Sequence, residues 1–213
     1  MRKLLLSTAL LAAALFSNGA QANLMLQATP GGGNAGTDNI LFNNCTAPNI
    51  TVGTTVQGCL NQSRSTLVNF TGIETLVADG GQARVQAQTG NFDQVTISLA
   101  NSTLGFDTLL FNVDTVVSGA ANISAVDQFG TMFNFGSFFL DGGGENKFRL
   151  GSVDGQVAVS LFINSSVAID NISSLEQVRL GLATRTPNVV PEPASLALLG
   201  AGLLGLGTIR RRR

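Results

Sequence analysis

Alternation of apolar and polar residues, the period of a half-buried strand, recurs along the middle of this chain. In QVTISLAN, Val95, Ile97 and Leu99 share one face while Thr96 and Ser98 take the other. GQVAVSLFIN repeats the pattern with Val157, Val159, Leu161 and Ile163. TLVNFTG, ETLVAD, QARVQAQ, TLLFNVDTVV, MFNFGSFFL, NKFRLGSV and EQVRLGLA read as further strands, separated by Gly, Asp and Asn turns. This spacing predicts an all-β domain over residues 23–188, an antiparallel β-sandwich of jelly-roll-like type. VDG, Val153 to Gly155, predicts a hairpin turn between the two strands it joins.

Both ends depart from the pattern. At the start, Met1-Arg2-Lys3 is basic, Leu4 to Phe16 is apolar, and Ala20-Gln21-Ala22 is a small-x-small cleavage site. That is the layout of a secretory signal peptide over residues 1–22, cut between Ala22 and Asn23. At the other end, Pro191-Glu192-Pro193 precedes an uncharged run, Ala194 to Ile209, and then Arg210, Arg211, Arg212 and Arg213. The run predicts a transmembrane helix over 194–209, short against the roughly 20 residues of an ordinary span. Arginines snorkel to the interface and are held on the cytoplasmic side, so the domain would face outward. The two prolines keep the segment above the membrane extended and outside the helix.

This order of parts over residues 189–213 resembles the PEP-CTERM sorting signal of exported Gram-negative bacterial proteins. The resemblance implies that an exosortase in the inner membrane cuts near Pro191, Glu192 and Pro193. The protein would then be anchored there only transiently before passing to the cell surface or exopolysaccharide matrix. GGQARVQAQTGNFDQVTISL and GENKFRLGSVDGQVAVSLFI also look like the β-rich surface domains found ahead of such tails, which bears on fold more than on activity.

Charge changes the picture once the ends are set aside. Residues 23–188 hold twelve acidic and six basic side chains, so the domain is near −6 although the whole chain is −1. A nucleic-acid partner is excluded, because neutralising phosphates needs a basic face. Phe is the only aromatic used, and Phe129, Phe133, Phe135, Phe138 and Phe139 cluster. They predict an inter-sheet core. The alternative is an exposed stacking patch, although wet carbohydrate platforms favour Trp or Tyr, which this chain lacks.

Candidate chemistry is sparse. Cys45 and Cys59, the only cysteines, predict one disulfide in an oxidising compartment. The bridge would pin TAPNITVGTTVQG, a stretch otherwise expected to fray. No histidine is present, which removes Ser-His-Asp and Cys-His catalysis and disfavours a zinc or copper site. DGGGENK, Asp141 to Lys147, reads as a surface loop; the sharper alternative is a calcium loop with Asp141, Glu145 and Asn146 as ligands. PGGGNAGTDN near the mature N-terminus reads as a flexible lead-in. Sequons such as Asn49, Asn101 and Asn171 are expected by chance in so Asn-, Ser- and Thr-rich a chain.

The leading expectation is therefore a non-enzymatic, exported surface or biofilm-matrix protein, sorted by an exosortase and associated with exopolysaccharide, with no resident cofactor. A carbohydrate- or calcium-binding adhesin module is the first alternative, and a dense acidic cluster would favour it. A hydrolase with a carboxylate pair is the second, favoured by a cleft holding one carboxylate of raised pKa.

Overall fold

A computed structural model describes residues 23–28, 36–79, 84–153, 155–165 and 172–185. The segment expected as a signal peptide, residues 1–22, and the whole of 189–213, sorting motif, expected helix and arginines included, lie outside the described residues. The described chain forms twelve strands: β1 (Asn23–Ala28), β2 (Asp38–Leu41), β3 (Val52–Leu60), β4 (Leu67–Asp79), β5 (Arg84–Ala87) and β6 (Gln94–Leu99), then β7 (Leu104–Thr115), β8 (Gly119–Asp127), β9 (Met132–Leu140), β10 (Asn146–Val153), β11 (Ala158–Ser165) and β12 (Ile172–Thr184). The fold is all-β, and its ladders are antiparallel, as the alternation predicts.

The strands run β1-β10-β7-β12-β2-β3-β4-β6-β11-β8-β9, and β5 joins β12 to β4 beside β2. The sheet doubles over on itself. Ala158 of β11 pairs with Phe106 of β7, and the edge strands β1 and β9 approach each other. One layer is β1, β10, β7 and β12; the other is β3, β4, β6, β11, β8 and β9; β2 and β5 turn the corner. Between them lies a continuous apolar core. Leu109, Phe111, Val113, Phe148 and Leu150 enter it from the first layer, Phe70, Ile97, Ile123, Leu161 and Ile163 from the second. Each large side chain so buried contributes roughly 1.5–3 kcal/mol.

Bulges decide which residues face this core. In β9, Gly136 pairs with Ile123 and Asn134 with Ser124, leaving Phe135 as the extra residue. Gly136 takes φ 88°, a left-handed conformation, and its N–H donates to Asn134 Oδ1 at 2.9 Å. The bulge shifts the parity of the strand. Phe133 and Phe135 before it, and Phe138 and Leu140 after it, all pack on the core. Phe138 meets Phe148 edge-on at 5.4 Å, and Phe148 stacks on Phe111 at 5.3 Å. Phe139 is turned out, 73% exposed, and Phe129 in the preceding turn is 51% exposed. The Phe cluster is thus core at three positions and surface at two.

Other expectations are corrected. β10 pairs with β1 and β7, and β11 with β6, β8 and β7, so the strands flanking VDG do not pair with each other as the expected hairpin. Val159 is bulged out between Ala158 and Ser160, which breaks the expected Val157-Val159-Leu161-Ile163 face. TLVNFTG and ETLVAD are one strand, β4, whose register against β3 shifts between Leu76 and Thr71. TAPNITVGTTVQG, which the disulfide was expected to pin, contains most of β3 and is held against β4. Its weak alternation has a cause in Gly58: a Cβ there would lie 2.5 Å from Ile40 Cγ2, so the core position stays empty of side chain. From PGGGNAGTDN, Asp38 and Asn39 belong to β2.

Candidate functional site

The disulfide Cys45–Cys59 is formed, across 14 residues of sequence. Cys59 is fully buried beside the β2–β3 ladder, where it pairs with Leu41. Asn49 braces the enclosed loop: its Nδ2 donates to Phe42 O at 3.0 Å and Gln57 O at 2.9 Å. The sequon asparagine is a clamp here.

A polar cluster lies on the outer face of the first layer. Alternation in β7 sends Leu109, Phe111 and Val113 inward, leaving Asn112 and Asp114 on the opposite face. Register then sets Ser174 opposite Asp114 and Glu176 opposite Asn112 on β12, with Arg84 of β5 opposite Glu176 and Lys147 of β10 opposite Asn112. The buried Ser174 hydroxyl lies 3.3 Å from Asp114 Oδ2 and 3.0 Å from Glu176 Oε1. It has one proton to offer two carboxylates. Asn112 Nδ2 donates to Asp114 Oδ1 at 3.3 Å, and Arg84 Nε pairs with Glu176 Oε1 at 3.0 Å. Burial, and next the neighbouring Glu176, raise the Asp114 pKa above the ordinary 3.8; the hydrogen bonds from Ser174 and Asn112 and the charge of Arg84 act against that rise.

A cleft of about 380 Å³ lies elsewhere, where β12 meets β2 and the start of the β3–β4 turn. Thr37, Asp38, Gln62 and Ser63 supply its polar wall, and Leu60, Leu180 and Leu182 its apolar one. Asp38 is the sole acid among these lining residues, and its Oδ2 accepts from Gln62 N at 2.6 Å. The raised carboxylate and the cleft are therefore separate features. Between β2 and β12, Arg179 donates to Asn39 Oδ1 and to Thr37 Oγ1 at 3.2 Å, clamping the corner.

The Asp141 to Lys147 loop is held from within. Asn146 Oδ1 accepts from Asp141 N at 2.8 Å, and its Nδ2 donates to Val113 O at 2.9 Å and Asp141 O at 3.1 Å. Glu145 pairs with Lys147, and Asp141 Oδ1 accepts from Ser118 at 3.4 Å. Asn146, a ligand only in the calcium-loop alternative, is the loop's clamp, and its oxygen accepts from a backbone N–H. Among the described residues no three acidic or thiol side chains converge as they would around a metal ion.

Sequence reasoning missed the Asp114–Ser174–Glu176–Arg84 group. Alternation alone puts Asn112, Asp114 and Glu176 on outward faces. Nothing local says that β7 and β12, some sixty residues apart, are neighbours. It also missed Asp127, buried at the β8–β9 turn. That carboxylate accepts from Phe129 N at 2.8 Å, Thr131 N at 2.7 Å and Gln156 Nε2 at 2.6 Å.

Residues 189–213 match the PEP-CTERM protein-sorting motif, so the chain carries that signal, with the export and membrane-associated processing it implies. No curated protein sequence matches the chain. Among solved structures, a point variant of CBM29-2, a family 29 carbohydrate-binding module, is similar at 14% identity and TM-score 0.39, over 69% of this chain and 99% of that one. The module CBM29_1 from Piromyces equi is similar at 13% identity and TM-score 0.32, over 75% of this chain and 90% of that one. An exo-beta-agarase is similar at 11% identity and TM-score 0.39, over 70% of this chain but 25% of that one. These are loose likenesses of strand arrangement, and no ligand is inferred from them.

Proposed function

We propose that the protein is a non-enzymatic surface or extracellular-matrix module that an exosortase delivers through residues 189–213. The observation that carries this reading is the sorting motif placed behind an all-β body. Two features support it. The Cys45–Cys59 bridge suits an oxidising compartment outside the cytoplasm. Ser174 is fully buried, with its hydroxyl held between Asp114 and Glu176, so it is not presented to a substrate.

In this reading the span 194–209 holds the chain in the inner membrane only until it is cut near Pro191-Glu192-Pro193. Replacing Pro191 and Pro193 by Ala lets the apolar helix extend outward over the site, and Glu192→Ala removes its charge. Both variants are expected to accumulate full-length in the membrane, while the wild type reaches the surface without its tail. Mass spectrometry of surface-released wild type decides the matter: intact peptides from Leu196 to Arg210 overturn the reading.

One observation favours a second reading, a carboxylate-pair hydrolase: Asp114 carries a raised pKa beside Glu176. Glycoside hydrolysis needs two carboxyl groups flanking the scissile bond, whereas these two converge on one buried hydroxyl from the same sheet face. Release of reducing ends from polysaccharide by wild type, abolished by Asp114→Asn, would establish the hydrolase.

A further inference from the structure

The outer face of the second layer differs in kind from that of the first. Register aligns Thr55, Thr71, Thr96, Phe162, Ser124 and Asn134 in one row across β3, β4, β6, β11, β8 and β9. A row on one side runs from Gln57 and Asn69 through Ser98 to Ser160 and ends on Val126 and Met132. A row on the other side runs from Gln94 through Asn164 and Asn122 to Ser137. Every one of these side chains is exposed or half-buried, and none is ionisable. Charge is concentrated on the first layer and the corner, at Asp114, Lys147, Arg149, Glu176, Arg84 and Arg179. Six strands about 4.8 Å apart make the uncharged face roughly 24 Å wide.

From this face we infer that the protein binds a neutral glycan chain laid across β3 to β9. Amides and hydroxyls each donate and accept, as sugar hydroxyls do, and the face offers them at most positions of its three rows. Neighbouring groups already pair across strands: Gln57 Nε2 donates to Asn69 Oδ1 at 2.9 Å, and the Thr55 and Thr71 hydroxyls lie 3.0 Å apart. Those contacts use one donor of Gln57 and one acceptor of Asn69, and they hold the side chains in place for a ligand. Phe162, with Thr96 and Ser124 directly opposite on either side, is an apolar plate edged by hydroxyls. It supplies the ring surface against which a sugar's C–H face packs.

Charge selects against the other occupants. A phosphate- or uronate-bearing polymer finds no cation on this face and a body near −6 behind it. A protein partner would favour several aromatic, Met and Arg residues at the centre of its patch, where this one carries a single Phe162 among Thr, Ser and Asn. Of the large exposed apolar groups of this layer, Phe139 and Met132 stand on the edge strand β9, with Ile73 on β4 and Val52 at the start of β3.

This inference deepens the reading of the chain as a surface module, and it is tested apart from sorting. Purified exported protein is run in native gels containing a neutral β-glucan, a galactomannan or, as the acidic comparison, alginate. At least one neutral gel is expected to retard it, and alginate is not. Thr96→Lys and the nearly isosteric Asn122→Asp are expected to weaken retardation at least tenfold, while Lys147→Gln on the opposite layer leaves it unchanged. Thermal melts monitored by circular dichroism establish that each variant is folded. Absence of retardation in both neutral gels overturns the inference, as does retardation by alginate alone or retardation indifferent to both face variants. A dimer in sedimentation that Thr96→Lys dissociates assigns the face to a second copy and also overturns it. Such failures leave tail processing untouched, whereas an unprocessed tail on a glycan-binding protein overturns the sorting reading alone.

Discussion

Replacing both Cys45 and Cys59 by Ala removes the one covalent cross-link of the domain. The bridge spans 14 positions, and closing a loop of about 15 residues is worth roughly 3 kcal/mol through the entropy it takes from the unfolded chain. The fully buried Cys59 side chain adds a packing loss on the order of 1 kcal/mol when its sulfur is removed. Little else should change in the folded state. The ladder Ile40–Leu60 and Leu41–Cys59 is backbone, and Asn49 still clamps the loop through Phe42 O and Gln57 O. The domain holds neither Trp nor Tyr, so urea unfolding is best followed by far-ultraviolet circular dichroism. The expected loss is about 3–4 kcal/mol, a fall in Tm of roughly 10 °C for a domain of this size. The slope m should rise as well, because an uncross-linked unfolded chain exposes more surface. A loss below about 1 kcal/mol with m unchanged would refute the loop-entropy account. A loss of the expected size with m unchanged would move its origin to native packing.

Asp114 yields a pH prediction. Its pKa is raised in the folded protein, so the folded state holds the proton more tightly than the unfolded chain, and stability falls as pH rises from below 3.8 through the folded value. Asp114→Asn should therefore raise Tm at pH 7 and alter it little at pH 3; equal shifts at both would refute the assignment. Gly136→Val, which forces a β-branched residue to φ 88°, should cost about 1–3 kcal/mol in urea unfolding. Gly151→Ala, where a Cβ meets nothing within 4 Å, should be neutral within about 0.5 kcal/mol. Asn146→Ala removes the hydrogen bonds that close the Asp141 loop and should cost about 2 kcal/mol; a neutral result would show that water replaces them. With Asn146 so engaged and Glu145 paired to Lys147, melts in calcium and in chelator should superimpose. A calcium-dependent rise in Tm would restore the loop as a cation site.

By itself the sequence determined that this protein carries a sorting signal, and its class of fold. A sorting motif is read by another enzyme as a linear string, so Pro191-Glu192-Pro193, the apolar run and the arginines mean the same whatever the body does. The disulfide was legible for a related reason: two cysteines admit one intramolecular pairing. Strands such as β6 and β7 showed themselves because a half-buried strand repeats every two residues. Strands whose inward positions are small did not: β3 places Gly58 against Ile40, and β8 alternates on Ala121, Ile123 and Ala125. Tertiary structure alone decided the rest. One extra residue, Phe135, turned Phe139 out and Phe138 in, since a bulge reverses the parity that pattern reading assumes constant. The pairing of β7 with β12 brought Asp114, Ser174 and Glu176 together. The order β3-β4-β6-β11-β8-β9 gathered uncharged side chains from distant segments onto one face. Both are facts of register between strands remote in sequence, and register follows from how the whole sheet folds over its core, which no local window contains.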